Sequence, residues 1–248
     1  MDRKDIPRLA LCGILGITAN QFFSMNGLSL TSPVDAAIIV TAMPIFTVII
    51  SFFLLREPLT LQRILGVSIG GIGAVLLIYL GNSAIGTGSL LGNIFIGINA
   101  LAFAFYLVII KPILSKYKPI TVISWVFLFG FISMFPFCIG QLLETDFDKY
   151  DTLSWASLLY VILGPTFFAY LLNMFALQYV KPTVSSSYIY VQPVVVMLIV
   201  AIVAYIIVNS QYKGDITGAK LACCILISIG VYLISSTPIK WLKKKSRV

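Results

Sequence analysis

The sequence predicts an all-α integral membrane protein: eight transmembrane helices forming an incomplete pair of inverted repeats, three helices and then five, with both termini in the cytoplasm. Three observations predict it. Of the 248 residues, 59% are hydrophobic and 10% charged, against about 25% charged in a soluble domain. The apolar residues fall in continuous runs near the roughly 20 residues a helix needs to cross a bilayer, about twice the length of the alternating runs of an outer-membrane barrel. Two stretches also share a proline spacing. Pro33 and Pro44 lie 11 residues apart, as do Pro182 and Pro193, so that residues 27–58 overlie residues 176–207 without a gap at an offset of 149. Self-similarity at a fixed offset marks an internal repeat.

The spans are expected at about 9–28, 34–55, 64–80, 89–110, 120–142, 153–177, 183–207 and 216–236. The charged stretch before the first is followed by an apolar run too long for a signal peptide, so it reads as a retained first helix. The second span carries Pro44 near its middle and ends at the charged turn Arg56-Glu57-Pro58. In the third, Gly66, Gly70, Gly71 and Gly73 make a smooth stripe, a face for close backbone approach either within one chain or in a homodimer. The Gly/Ser-rich stretch 81–89 then separates the halves. The expected domains are a partial first repeat over 1–82, a second repeat over 83–238 and a basic cytoplasmic tail over 239–248.

Orientation follows from lysine and arginine. With the N-terminus inside, threading eight spans leaves only Lys149, Lys213 and Lys220 outside; every other basic residue, from Arg3 to Arg247, falls in an inside segment. The Pro44 helix then runs outside to inside and the Pro193 helix inside to outside, so the repeats are inverted. Inverted repeats are an architecture of secondary transporters, with the site near the midplane between the halves.

The net charge of +8 sits at span ends, where the bilayer and its cytoplasmic surface explain it; nucleic acid is not expected as a partner. Cys12, Cys138, Cys223 and Cys224 lie inside apolar runs without metal-ligand spacing and read as small hydrophobes. The chain has no histidine, which removes the commonest general base and metal ligand. No paired carboxylates, Ser-Lys pair or Gly-rich phosphate loop falls within the spans, so neither an enzyme nor a cofactor is expected.

The stretch from Gly27 to Leu80, with its alanine-bearing helix, Pro44, Arg56-Glu57-Pro58 and the Gly66-rich helix, resembles the EamA family of the drug/metabolite transporter superfamily. The resemblance covers residues 8–80 as helices three to five of a ten-helix member and 90–236 as its whole second repeat. It implies two inverted five-helix repeats, cytoplasmic termini, a cell-membrane location and export of small organic metabolites. It begins in the loop before the family's third helix. A truncated, non-transporting protein, or a subunit needing a partner for two helices, is therefore the alternative. Glu57 matches a family glutamate, whereas the second-repeat counterpart is Ile206.

No charge lies near the centre of any span. The residues at depth that can bind a solute are uncharged: Asn20, Thr41, Asn99, Tyr106, Tyr170, Asn173, Tyr188, Tyr190 and Gln192. Asn99, Phe103 and Tyr106 share one helix face, as do Tyr170, Asn173 and Leu177, and Ser185, Tyr188 and Gln192. Ser186, Tyr190 and Pro193 share the next. For any one of them, a bond between helices and a place in a cavity are equal readings. The set points to a cavity, because the resemblance assigns these spans to the transport path. Pro44 and Pro193 each remove a backbone donor, giving a hinge or a static kink. Arg56 and Glu57 form the cytoplasmic turn or gate. The expected function is a carrier working by alternating access, with the lipid bilayer and a small neutral or zwitterionic molecule as partners.

Overall fold

The computed structural model describes residues 2–31, 33–81, 89–147, 150–192, 194–195, 202 and 218–236. Pro193, Ile206, residues 82–88 and the tail 239–248 lie outside the described residues. Those described form helices and their connections, with no strand among them. The helices are α1 (Ile6–Leu30), α2 (Pro33–Val40), α3 (Met43–Leu55), α4 (Leu61–Gly81), α5 (Leu90–Leu114), α6 (Pro119–Glu144), α7 (Thr152–Tyr179), α8 (Pro182–Ser187) and α9 (Gly218–Ser235). A 3₁₀ turn, Tyr188–Val191, continues α8. α1, α5, α6 and α7 are each long and apolar enough to cross a membrane, and shorter apolar helices accompany them. Large hydrophobic side chains such as Phe53, Phe131, Leu153 and Tyr160 stand exposed along their outer faces.

Local chemistry sets the boundaries. Proline opens α6 and α8 and sits in the first turns of α1 and α3, where a helix has no use for the missing N–H. Ser89 caps α5 by accepting from the Gly92 amide at 3.1 Å, and Asp151 caps α7 by accepting from the Ser154 amide at 2.8 Å. α3 ends where Arg56 takes a left-handed conformation (φ 53°, ψ 36°), the only positive φ outside glycine among the described residues. The Glu57 amide returns to the Ser51 carbonyl at 3.2 Å, closing that turn.

The second expected span differs from a single kinked helix. It is broken. α2 stops at Val40, Thr41 and Ala42 form a turn, and Pro44 lies in the first turn of α3. Placed there, Pro44 costs α3 no hydrogen bond, because the first-turn N–H it lacks would have no partner within the helix. Discontinuous helices are tolerated at membrane depth where they are enclosed by protein or face a cavity; Thr41, Met43 and Pro44 are all buried.

α5 is the axis of the bundle. It packs against both ends of α1, against α2 and α3, and against α7 and α8. α6 lies along α1, with Gly13 and Gly130 at the crossing: a Cβ on Gly13 would meet the Gly130 amide at 2.8 Å. α4 and α9 run together as the most extensive pair. The glycine stripe on α4 makes that contact, within the chain. A Cβ on Gly230 would stand 2.5 Å from the Gly70 Cα, so the two backbones touch.

The helix ends segregate. At one end, Lys116 pairs with Asp5, Lys111 reaches the end of α7, Thr183 meets Glu57 and Gln62 donates to Ser236. At the other, the Ser89 amide donates to the Leu30 carbonyl at 3.0 Å and Thr31 to Asn93 at 2.5 Å. The first group joins the segments that carry the basic residues.

Candidate functional site

An open cavity of about 450 Å³ lies where α3, α5, α7 and the α8 segment meet. Met43 contributes from the start of α3, Phe103 and Leu107 from α5, and Asn173 from α7. Ser185, Tyr188 and Gln192, spaced three and four residues apart, contribute from α8 and the turn after it. The volume suits a small organic molecule. Among the described residues the lining offers hydroxyls, amides and aromatic edges but no charged side chain. The Asn173 Oδ1 is buried without a protein partner. A larger hollow of about 590 Å³ is lined by one face of α9 alone, mostly apolar; it encloses nothing and has the character of a lipid-facing surface.

Asn173, Tyr188 and Gln192 thus meet at the cavity, with Pro44 beside its lining residue Met43 and Thr41 in the break before it. The remaining described candidates stand behind the lining and bond helix to helix. The Asn99 amide donates to the Asn20 carbonyl at 2.7 Å. Tyr170 donates to the Gly16 carbonyl at 2.9 Å and lies 3.3 Å from the Asn20 Oδ1. The buried Tyr106 hydroxyl faces the Met174 sulfur at 3.6 Å. Tyr190 is fully buried, its ring against Gly70 and its hydroxyl donating to the Val67 carbonyl at 3.3 Å. Its face is changed by the 3₁₀ turn, which advances about 120° per residue rather than 100°.

Two of the long helices are irregular within their length. α1 and α7 each contain a π-helical stretch, Ile14–Ala19 and Ile162–Phe168. Such stretches concentrate at functional sites. Their starts fall within one residue of the proline offset between the halves. The signal was present: Ile14-Leu15-Gly16 followed by Thr18 recurs as Ile162-Leu163-Gly164 followed by Thr166. The first stretch takes the Tyr106 ring directly on Gly16, where a Cβ would lie 2.5 Å from it, and offers the Gly16 carbonyl to Tyr170.

At the basic end, Glu57 pairs with Arg63 rather than with its neighbour Arg56. Arg63 Nη1 lies 2.9 Å from Glu57 Oε2 and also donates to the Pro58 carbonyl at 3.1 Å. Both side chains are enclosed, 2% and 11% exposed. Thr183 donates to the same Glu57 oxygen at 3.5 Å. Lys111 donates to the carbonyls of Leu177, Gln178 and Val180 at 2.5, 3.1 and 2.6 Å, placing a cation on the C-terminal end of α7, where the helix dipole favours it. Burial holds the Lys181 ammonium below the usual lysine value; Arg63 adds to the effect and Glu57 opposes it.

The sequence matches the EamA-like transporter family over residues 2–79 and 90–236. It is 26% identical over 231 residues to an uncharacterized transporter of Archaeoglobus fulgidus, covering 93% of this chain and 78% of that one. It is 24% identical to the uncharacterized transporter YetK of Bacillus subtilis, covering 82% of this chain and 62% of that one. It is 26% identical to the WAT1-related protein At3g18200 of Arabidopsis thaliana, covering 94% of this chain and 67% of that one. A solved crystal structure superposes with a TM-score of 0.70 at 18% identity, over 95% of this chain and 77% of the other; it shares the fold.

Proposed function

The chain belongs to the EamA-like transporter family, and from that premise we propose that it carries small neutral or zwitterionic metabolites across the cell membrane by alternating access. In this reading the eight helical spans form two inverted repeats, three helices over 1–82 and five over 83–238. The basic end faces the cytoplasm together with both termini. The gathering of Asp5, Glu57, Lys111, Lys116 and Thr183 at one end supports that threading.

The observation that carries the proposal is the uncharged cavity between the halves. Met43 of the broken helix lines it from the first half, and Asn173, Ser185 and Gln192 line it from the second. Charges at bilayer depth are expensive, and amides and hydroxyls bind a polar solute without them. The test is uptake by proteoliposomes holding the whole chain, with a panel of amino acids and small metabolites. Saturable flux of at least one is expected. A folded, monodisperse protein that moves none of them contradicts the proposal.

One observation favours a second reading, a subunit completed by two helices from a partner. The first ten residues of α7, Thr152–Val161, bury no side chain, and only 6% of the helix's most apolar window is buried, against 50% in α5. Flux that appears only on co-reconstitution with a two-helix segment selects this reading. Flux from the chain alone excludes it.

A further inference from the structure

Arg63 is the largest fully buried side chain of the described residues, and its guanidinium is only half used. Nη1 serves Glu57 and the Pro58 carbonyl. Nε and Nη2 are buried without a protein partner. These two nitrogens form one edge of the planar group, the edge that takes a carboxylate or phosphate through two parallel hydrogen bonds. A half-satisfied buried cation is costly, so stability alone does not account for it.

The surrounding charge points to an anion. Arg63, Lys111 and Lys181 all act on or near one carboxylate, Glu57. Among the described residues, one carboxylate thus stands near three cations, of which Lys111 is also held by the carbonyls that end α7. The cluster also lies one helical turn from the cavity, since the Ser186 hydroxyl donates to the Thr183 carbonyl at 3.2 Å while Ser186 itself lines the cavity.

We propose that the Nε–Nη2 edge of Arg63 is a docking site for an oxyanion, a carboxylate or a phosphate group, at the basic end of the bundle. The edge is enclosed in this conformation, so the anion reaches it only when packing at this end loosens. Glu57, bound to Nη1, holds Arg63 in place, and its negative charge opposes a second anion on the neighbouring edge. The inference rests on the carrier reading only in assigning the anion to the carboxylate of a transported zwitterion; the site itself is defined by binding.

The test therefore reads binding without transport. The whole chain is placed in phosphatidylcholine nanodiscs and its thermal unfolding followed while acetate or inorganic phosphate replaces chloride at constant ionic strength. A parallel arm uses nanodiscs containing phosphatidylglycerol. A saturable rise in Tm with acetate or phosphate is expected. R63K keeps the charge but loses the fork, and should need about tenfold more anion for half-saturation. E57Q removes the opposing charge and should need less. A rise with phosphatidylglycerol that leaves acetate without further effect assigns the site to a lipid headgroup phosphate. The proposal is overturned if no oxyanion raises Tm above chloride, or if R63K and the natural chain respond alike.

Discussion

Tyr170 donates its hydroxyl to the carbonyl of Gly16 at 2.9 Å, joining the π-helical stretch of α1 to the residue just beyond the π-helical stretch of α7. The bond ties together the two π-helical regions of the described chain. Tyr170 also packs its ring against Phe103, Tyr106 and Phe127. Y170F keeps those ring contacts and removes only the hydroxyl. It should cost about 0.6–1.7 kcal/mol, the range for single bonds between membrane helices, read from unfolding in mixed micelles. A cost near zero would mean that the Gly16 carbonyl needs no partner.

The α4–α9 contact depends on the absence of side chains. A Cβ at Gly230 meets the Gly70 backbone at 2.5 Å, whereas one at Gly140 meets nothing within 4 Å. G230L should therefore separate the pair, costing about 1–3 kcal/mol or more by overpacking. G140A should be neutral or slightly stabilising by helix propensity. Unfolding measurements on both check the contrast.

Asp5 ties the N-terminal segment to the α5–α6 turn. Its carboxylate lies 3.2 Å from Lys116 Nζ and accepts from the Tyr117 hydroxyl at 3.0 Å. The bond from Lys116 holds the carboxyl below the usual aspartate value, with Tyr117 adding to it and burial opposing. The contribution is therefore complete above the unfolded value of about 3.9, and is lost as pH falls through the lowered folded value. Limited proteolysis near the N-terminus should thus accelerate below about pH 4 in the natural chain. D5N should be cleaved faster at neutral pH and show no further change over that window.

Asn173 lines the cavity with an acceptor that no protein group uses. N173A should therefore lower flux, raising KM for a hydrogen-bonding solute about five- to tenfold with a stability change under about 0.5 kcal/mol. N99A should behave oppositely, since its amide bonds the Asn20 carbonyl: stability falls and KM holds. Equal effects of both on KM would remove the distinction between lining and support.

Much of the fold was legible because membrane helices announce themselves by composition. The run boundaries, the proline openings of α6 and α8 and the glycine face of α4 all follow from single residues acting locally. The cavity was legible in part. Ser185, Tyr188 and Gln192 were placed on one face by helical spacing, and they do line the same space. Tyr106, Tyr170 and Tyr190 were not separable from them, because spacing says which residues share a face and not which helix that face meets. The break at Thr41–Ala42 was hidden because Pro44 suits a kink and a new first turn equally. Arg63 was missed because a charge near a span end reads as solvent-facing until the packing of α4 against its neighbours is known.

The central claim is that the cavity opens in turn to the two sides. Gln192 is exposed and lines it, while Thr183 is wholly buried at the basic end. Q192C and T183C, each in a chain with the four native cysteines replaced, can be labelled by an impermeant thiol reagent from either side of a vesicle. A transported solute should move the two labelling rates in opposite directions, one rising as the other falls. Rates that rise together, or that ignore the solute, would contradict alternating access.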